Sequence, residues 1–375
     1  MASSPRVVLY LPSLAGGGAE RVFVELANEF ADLGLRVDIA LASAEGPYLS
    51  EVSKAVRIVD FAAGGVARSV RKLMAYLRAE KPDAMLSGLD HANVMSVVAR
   101  VAARARTRCV VSSRSVPTML GKEGGHFRAW AVLKAAGIAY RFADAMIANS
   151  DGVATDLSRF LHIPRKRINV IYNPLNLESI ERRSREPVDH PWAGEGAAPV
   201  VLSVGRISVL KDFPTLVRAF AQLRGRRDCR LVILGEGPDQ ASLAALIREL
   251  GVESDVSLPG FVPNPYSWMR RSGVFVSSSL SEGCPNALMQ ALACGTPVVS
   301  TDSVGGAAET LQHGKWGELV PVGDAAAMAG AIGRTLDART HPDVRQRAKD
   351  FAHDRIARQY LQVLLPEQFR PAVQG

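Results

Sequence analysis

Short β-branched runs alternate with helical stretches from one end of the chain to the other, in two successive series. In the first half the runs lie near residues 6–11, 36–41, 56–59, 84–87, 109–112, 145–148 and 168–171. This alternation is the pattern of a parallel sheet covered by helices. The stretch after the first run carries Val22, Leu26, Phe30 and Leu33 on one stripe, a core-facing helical spacing. The second series reads "VVLSVG", "RLVILGEG", "DVSLPGFV", "VFVSSS", "TPVVSTD" and "GELVPV". Between the series lies "LNLESIERRSREPVDHPWAGEGAAP", charged, Pro- and Gly-bearing and without a sustained apolar period, which reads as an inter-domain connection. The expected fold class is α/β: two Rossmann-like, doubly wound parallel-sheet domains facing across a cleft, with ligands at the C-terminal ends of the strands. The expected organisation is an N-terminal domain over 1–175, a linker over 176–198, a C-terminal domain over 199–350 and a helical segment over 351–375. That last segment is expected to pack back toward the first domain.

A chain of 375 residues is long for one core and comfortable for two. No run of about 18 uncharged apolar residues appears, so no transmembrane helix is expected. In "SSPRVVLYLPSLAGGGAERV" the apolar run is too short, and too soon followed by glycines and charges, for a signal peptide. Cys109, Cys229, Cys284 and Cys294 show neither metal-ligand spacing nor a disulfide framework, which suits a reducing cytoplasm. The net charge of +8 is unevenly placed: residues 1–173 hold 23 basic against 15 acidic side chains, and residues 174–375 hold 22 of each. A basic first half fits an anionic membrane surface, nucleic acid or a solvated face. Nucleic acid is the poorest fit, because no recognised binding motif and little aromatic interleaving accompany the cations.

Three strand–loop–helix junctions could carry chemistry. In "LPSLAGGGAERVFVELANEF" a strand ends, glycines follow and a helix begins, so backbone N–H groups could approach an anion. A dinucleotide fingerprint fails here: Arg21 stands where a third glycine is needed after Gly16 and Gly18, and "RVDIALAS" ends without a ribose-holding acid. A tight turn without a ligand reads the same stretch as well. In "VLSVGRISVLKDFPTLVRAF", Arg206 and Lys211 precede a helix starting near Asp212, with Pro214 in its first turn. Two cations in a strand-end loop suit a diphosphate, each charge-assisted bond contributing roughly 1.5–3 kcal/mol, and read equally as solvated surface charges. In "VFVSSSLSEGCPN" a strand passes through a turn bearing Glu282 into a helix begun by Pro285. Glu282 taken alone is also an ordinary acid at a helix start.

With these elements in this order the chain resembles the family-4 retaining glycosyltransferases of the GT-B fold, of the kind that build bacterial surface polysaccharides and lipid-linked glycans. The resemblance covers nearly the whole chain, through "GGAERV", "ADAMIANSDGVATDL", "VIYNPLN", "SVGRISVLKDFPTLVRAF", "RLVILGEGP", "LPGFVPNPYSWM", "SEGCPNALMQALACGTPVVSTD" and "GELVPVGD". It implies that Arg206 and Lys211 hold the donor diphosphate and stabilise the leaving nucleotide. Gly17 and Gly18 correspond to the glycine turn whose backbone nears the same phosphates. Glu282 corresponds to the first acid of a two-acid motif, beside the transferred sugar, with the backbone of Gly283, Cys284 and Pro285 alongside. Gln290 corresponds to the second acid, which holds the donor ribose, and Phe261 and Val262 to the segment on which the base rests. Glu20 falls where the family touches its acceptor.

The implied reaction is transfer with retention, in which a donor phosphate oxygen helps to deprotonate the acceptor. No protein nucleophile, metal or cofactor is expected; a nucleoside-diphosphate sugar is the co-substrate, with UDP favoured over GDP. Two positions depart from the family pattern. Arg114, in "CVVSSRS", stands where many members place a histidine against the sugar, and it could meet a phosphate or polar substituent instead. His91, in "SGLDHANVM", is the nearest alternative histidine, and a loop histidine without a ligand is the simpler reading of it. The loop "TDSVGGAAETL" lacks the usual proline and basic residue, while Glu309 remains.

An amide at Gln290 discriminates between two roles. Loss of an acid–base group would cost about 10²–10⁴ in rate. Loss of one charged acceptor to a ribose hydroxyl would cost on the order of 1 kcal/mol, about fivefold in affinity. The ribose role is the one the resemblance assigns, so an active enzyme is expected. On the acceptor side, Arg68, Arg71, Lys72 and Arg78 oppose a stripe of Val66, Val70, Leu73 and Leu77, and Arg100, Arg104 and Arg108 follow. "PTMLGKEGGHFRAWAVLKAAG" adds Met119, Leu120, Phe127 and Trp130 among Lys122, Arg128 and Lys134. Mixed basic and apolar groups suit peripheral docking on the inner face of the membrane, as they also suit solvated helix faces. The expected partners are a nucleotide-sugar donor, a glycan or polyprenyl-linked acceptor and an anionic membrane surface, with no nucleic acid. An epimerase or a phosphorylase would share the architecture, but the motifs of neither are found. A donor-binding or scaffolding paralogue is the non-enzymatic alternative.

Overall fold

The central strands of each sheet are apolar on both faces because helices cover both faces. The computed structural model describes residues 4–119, 126–194 and 196–369, and the side chains of all of these except 126–130. The chain forms two units, one of residues up to Pro174 together with those from His353 onward, the other of Leu175–Ala352.

Unit 1 contains strands β1 (Arg6–Leu11), β2 (Arg36–Leu41), β3 (Arg57–Asp60), β4 (Ala84–Gly88), β5 (Arg108–Ser113), β6 (Ala145–Ala148) and β7 (Ile168–Val170). They form one parallel sheet in the order β3-β2-β1-β4-β5-β6-β7. Its helices are α1 (Gly18–Asp32), α2 (Val66–Glu80), α3 (Asp90–Ala103), α4 (His126–Ala139) and α5 (Asp151–Leu161). On one face Val8, Tyr10, Met85 and Val111 pack against Leu73 and Leu77 of α2, Val97 of α3 and Leu157 of α5. On the other, Leu9, Leu86 and Val110 meet Phe23 and Phe30 of α1.

Unit 2 contains β8 (Val200–Val204), β9 (Arg230–Leu234), β10 (Val256–Gly260), β11 (Val274–Ser277), β13 (Val298–Thr301) and β15 (Glu318–Val320), parallel in the order β10-β9-β8-β11-β13-β15. A separate ribbon pairs β12 (Ser281–Glu282) with β14 (Val304–Gly305). The helices are α6 (Leu177–Ser184), α7 (Phe213–Arg224), α8 (Gln240–Glu249), α9 (Tyr266–Arg271), α10 (Asn286–Cys294), α11 (Ala307–Thr310), α12 (Ala325–Asp337) and α13 (Arg345–Ala348). Val201, Leu231, Val276 and Val299 pack against Leu216 and Phe220 of α7 and Ile332 of α12.

Both expected sheets form, with each strand within a residue or two of its β-branched run. The stretch read as a linker, 176–198, groups with unit 2 and carries α6, whose Ile180 and Ser184 are buried. Asn176 caps this helix by accepting from the Ser179 N–H at 2.8 Å. Leu175, which enters unit 2, pairs with the end of the same unit: its N–H donates to the Phe351 carbonyl at 2.7 Å and it bridges to Ala352. The chain then enters α14 (His353–Leu364), whose Ile356, Tyr360, Leu361 and Leu364 are buried beside α1 against the unit 1 sheet. Arg108 of β5 reinforces this contact by donating from Nε to the Val363 carbonyl at 2.9 Å.

On α2, Val66, Leu73 and Leu77 are buried, while Arg68, Arg71 and Arg78 are exposed; Lys72 donates to the Phe61 carbonyl. Arg100 pairs with Asp144. Of the mixed basic and apolar stretch, Leu120 and Lys122 lie outside the described residues, as do the side chains of Phe127, Arg128 and Trp130. Met119 packs on the unit 1 core and Lys134 is exposed. Among the described residues no helix is long and apolar enough to cross a membrane.

Because Leu361 is fully buried in the unit 1 core, Leu361→Ala is expected to destabilise that unit by about 2–5 kcal/mol, measured by urea unfolding. A change below about 0.5 kcal/mol, as at an ordinary surface position, would show that α14 contributes little to the core.

Candidate functional site

In unit 2 the strand order reverses between β8 and β11, so the loops leaving those strands diverge and open a crevice at their C-terminal ends. The loop after β8 carries Arg206 and Lys211, and the loop after β11 carries Glu282. Lys211 donates from Nζ to Glu282 Oε1. Ser279 Oγ donates to the same oxygen at 2.7 Å. The loops are tied through backbone as well: the Leu280 N–H donates to the Leu210 carbonyl at 2.8 Å, and Ser278 Oγ to the Lys211 carbonyl at 2.7 Å. The Lys211 and Glu282 side chains are 24% and 15% exposed, shielded yet within a ligand's reach. Arg206 is exposed and makes no ion pair among the described residues.

Local sequence explains this arrangement. A single 3-10 turn at Val209–Lys211 and a left-handed Asp212 (φ +44°) redirect the chain before Pro214 opens α7. The Lys211 stem then lies over Gly205, where an added Cβ would be 3.0 Å from its Cε. Glu282 is fixed by the β12–β14 ribbon. Its carbonyl accepts from the Gly306 N–H at 2.9 Å and passes so close to Gly305 (φ +124°) that any Cβ there would overlap it. The glycines of "TDSVGGAAETL" therefore hold the acid. Arg347, buried, secures the same loop by donating to the Glu309 and Thr310 carbonyls, each at 2.9 Å.

Gly283 is half-buried, and Cys284 and Pro285 are buried, as the chain enters α10. Gln290 is half-buried on the face opposite Leu288 and Leu292, which are buried. After β10, Phe261 stands 70% exposed, with Val262 half-buried beside it. Glu236, which no sequence motif singles out, orients that segment by accepting from the Phe261 N–H at 3.3 Å.

In unit 1 the strand order reverses between β1 and β4. Gly17 caps α1, Gly18 opens it, and Glu20 lies in its first turn; the Glu20 carboxylate occupies the space where a Gly17 side chain would go. The glycine turn is anchored by Tyr48, whose hydroxyl donates to the Gly16 carbonyl at 3.2 Å. His91 sits across the reversal, on the first turn of α3, exposed. Its pKa is lowered by the protein around it, against the pull of Asp90 and Glu20. Gly17, Gly18, Glu20 and His91 thus lie at the starts of the helices that follow the two strands of this reversal.

Asp90, which the sequence does not mark, opens α3 at the same reversal. The preceding Leu89 has φ +72°, a left-handed angle costly for a branched side chain. The Asp90 carboxyl accepts from the Tyr140 hydroxyl at 3.1 Å, and burial raises its pKa. Asn93 braces Tyr140 from below by donating to its hydroxyl oxygen at 3.0 Å. Arg114, expected at the sugar side, has protein partners: Asn173 Oδ1, the Tyr360 hydroxyl at 3.3 Å and the Ser112 hydroxyl at 3.4 Å. Its guanidinium also lies 5.9 Å from the centre of the Phe23 ring. Among the described residues no three His, Cys, Asp or Glu side chains converge as a metal site.

The chain matches the family model described as Glycosyl transferases group 1 over residues 198–338 and that described as Glycosyltransferase Family 4 over residues 16–179. It is 32% identical, over 74% of both chains, to the N-acetylgalactosamine-N,N'-diacetylbacillosaminyl-diphospho-undecaprenol 4-alpha-N-acetylgalactosaminyltransferase of Campylobacter jejuni. It is 28% identical, over 92% of both, to the lipopolysaccharide core biosynthesis glycosyltransferase LpsE of Rhizobium meliloti. The crystal structure of Anabaena HepE in complex with UDP superposes with a TM-score of 0.79 at 22% identity, over 96% of this chain and 99% of that one, and shares its fold.

Gly305→Ala is expected to leave unit 1 intact and to destabilise unit 2 by about 1–3 kcal/mol, since the Glu282 carbonyl must move away; an unchanged urea midpoint would show that the ribbon accommodates the side chain. A second expectation concerns Glu25 on α1, whose pKa is raised to about 7 by burial, with Glu51 adding to the rise and Arg21 and Arg114 opposing it. Below about pH 4 both folded and unfolded states hold this proton; between about 4.5 and 7 only the folded state does, so stability falls as pH rises through that window. Glu25→Gln should therefore be more stable than the wild type at pH 8, with the gap closing toward pH 4.5. A gap constant with pH, measured by urea midpoints, would refute the assignment.

Proposed function

The chain belongs to the family-4 glycosyltransferases, and on that footing we propose that it transfers a hexose or N-acetylhexosamine, with retention, from a nucleoside-diphosphate sugar to a glycan or lipid-linked glycan. The observation that carries this reading is the Lys211–Glu282 pair at the strand reversal of unit 2, in a loop that also carries Arg206. Lys211 and Arg206 place two positive charges where a diphosphate would lie, and they supply the electrostatic stabilisation that a leaving nucleotide needs without calling on a metal. Glu282, held from below by Ser279 and Lys211, is placed to accept from sugar hydroxyls. Its bond to Lys211 keeps the carboxylate aimed.

The reaction breaks the bond from the anomeric carbon to the donor phosphate oxygen and forms one from that carbon to the acceptor oxygen. The acceptor's proton passes to the phosphate oxygen that leaves, so no group on the protein need carry it. Phe261, exposed, offers a face for the base. The backbone from Gly283 to Pro285 lies beside the transferred sugar, and Gln290 accepts from the ribose. Gly17 and Gly18 serve the phosphates, while Glu20 and His91 serve the acceptor.

Uridine is favoured as the base because the Anabaena structure holds UDP. A lipid carrier is favoured because the Campylobacter relative is named for a diphospho-undecaprenol acceptor. Unit 1 carries 26 basic against 17 acidic residues and unit 2 carries 19 against 20; this asymmetry supports a cytoplasmic enzyme whose first unit rests on anionic lipid. The amide at Gln290 is the one feature that favours a donor-binding paralogue without turnover.

A panel of UDP- and GDP-sugars, read by donor hydrolysis and thermal shift without added metal, tests the proposal. One UDP-sugar is expected to be both bound and slowly hydrolysed, and Gln290→Glu to tighten its binding by about fivefold. Binding of no donor by either protein would turn the reading to a scaffold.

A further inference from the structure

Unit 1 holds a cavity of about 500 Å³ where the chain enters β4 and β5, at the opposite ends of these strands from the residues assigned to the acceptor. Asp83 and Thr107 line it from the turns ahead of the two strands. The ends of α2 and α3 supply Arg78, Lys81 and Arg104, and Arg106 follows. Its volume lies within the about 300–1,000 Å³ of small-molecule sites. We propose that this cavity binds a soluble oligophosphate. The inference stands apart from the transferase reading, which assigns no ligand to this edge of the sheet.

Three observations lead there. First, four cations and one acid meet in the lining, an excess of three positive charges, and none of the four forms an ion pair among the described residues. The acid, Asp83, is turned to the backbone, where it accepts from the Arg6 N–H at 2.7 Å. A concave wall of one sign concentrates its potential and draws in an anion. Second, Arg78 is held in place. Its Nε and Nη2 donate to the Ala103 and Ala102 carbonyls at 3.4 and 3.1 Å, spanning from α2 to the end of α3 and leaving Nη1 for a ligand. A guanidinium fixed in one plane suits the oxygens of phosphate. Third, α2 and α3 each end on a left-handed residue, Lys81 at φ +46° and Arg104 at φ +52°, where glycine would carry no such cost. The helix dipole accounts for a positive charge at each of these ends. It does not account for the convergence of both ends, with Arg106 beside them, on one concavity. Dense phosphate is also offered by an anionic membrane, and the lining separates the two sources. Its apolar members Leu77, Pro82 and Ala103 are buried, so no large apolar side chain of the lining stands out among the cations as bilayer docking uses.

Calorimetric titration of the full chain with inorganic triphosphate tests the proposal. To remove the cations of unit 2 from the reading, it is repeated in a protein carrying Arg206→Ala and Lys211→Ala, where a saturable site is expected to remain. On that background Arg104→Glu with Arg106→Glu, both at exposed positions, is expected to weaken triphosphate about tenfold or more, with the Tm of the unliganded protein unchanged. Arg141→Glu with Arg159→Glu, exposed and outside the lining, makes the same change in net charge and is expected to alter affinity by less than about twofold. Lys81→Gly removes a charge where glycine suits the backbone, so it is expected to keep or raise Tm and still weaken triphosphate about threefold. Vesicles of anionic phospholipid are expected not to displace the bound triphosphate. Loss of all binding in the Arg206→Ala, Lys211→Ala protein overturns the site, as do unchanged affinity in the cavity variants, an equal loss in the control pair and displacement by vesicles. Because neither donor nor acceptor takes part, a failed donor panel leaves this result standing.

Discussion

The ion pair between Lys211 and Glu282 is the side-chain contact that joins the two loops at the second unit's strand reversal. Two loops from strands on either side of the reversal meet in it. The backbone bonds between 210 and 280 bring the loops together, and the charges then fix the angle at which the acid faces a ligand. Ser279 donates to the same carboxylate oxygen at 2.7 Å, so a cation and a neutral hydroxyl hold the acid together. Beneath this, the Glu282 carbonyl rests on a glycine that admits no side chain. The backbone of the acid is thus fixed at its carbonyl, and the bonds from Lys211 and Ser279 hold its carboxylate.

The first unit is organised differently. Its reversal has no such ion pair among the described residues; polar groups are instead buried in a row, from Asn93 through Tyr140 to Asp90, with a strained Leu89 turning the carboxyl into place. The cost of that strain is offset only if the hydrogen bonds persist, which makes the row rigid. Arg114 performs a comparable service further along the sheet, joining Asn173 to Tyr360 of α14.

Much of this architecture is legible in the order of residues alone. The β-branched runs predict the sheets because a strand buried on both faces has few residue types to choose from. The three strand–loop–helix junctions are legible as junctions, because glycines and prolines mark where strands end and helices begin, whereas the charges on them also read as surface cations or a helix-start acid. What the sequence leaves hidden depends on distance along the chain. The β12–β14 ribbon consists of two residues on each side, too short for any period, and its glycine makes sense only against a carbonyl 23 positions earlier. Asp90 is an ordinary helix-start acid until Tyr140, 50 residues on, closes over it. The helix in the supposed linker is highly charged and buries only Ile180 and Ser184, so it shows no stripe to find.

The return of α14 to the first sheet has a consequence for synthesis. Domains of a growing chain tend to fold as units, the earliest first. Here the earliest unit cannot be completed first, because the helix that covers Phe23, Phe30 and their neighbours is made after the whole of Leu175–Ala352. The second unit is contiguous and can close as soon as it emerges. Until then that face of the first sheet has only part of its cover, and α14, made after the second unit, removes the remaining exposure.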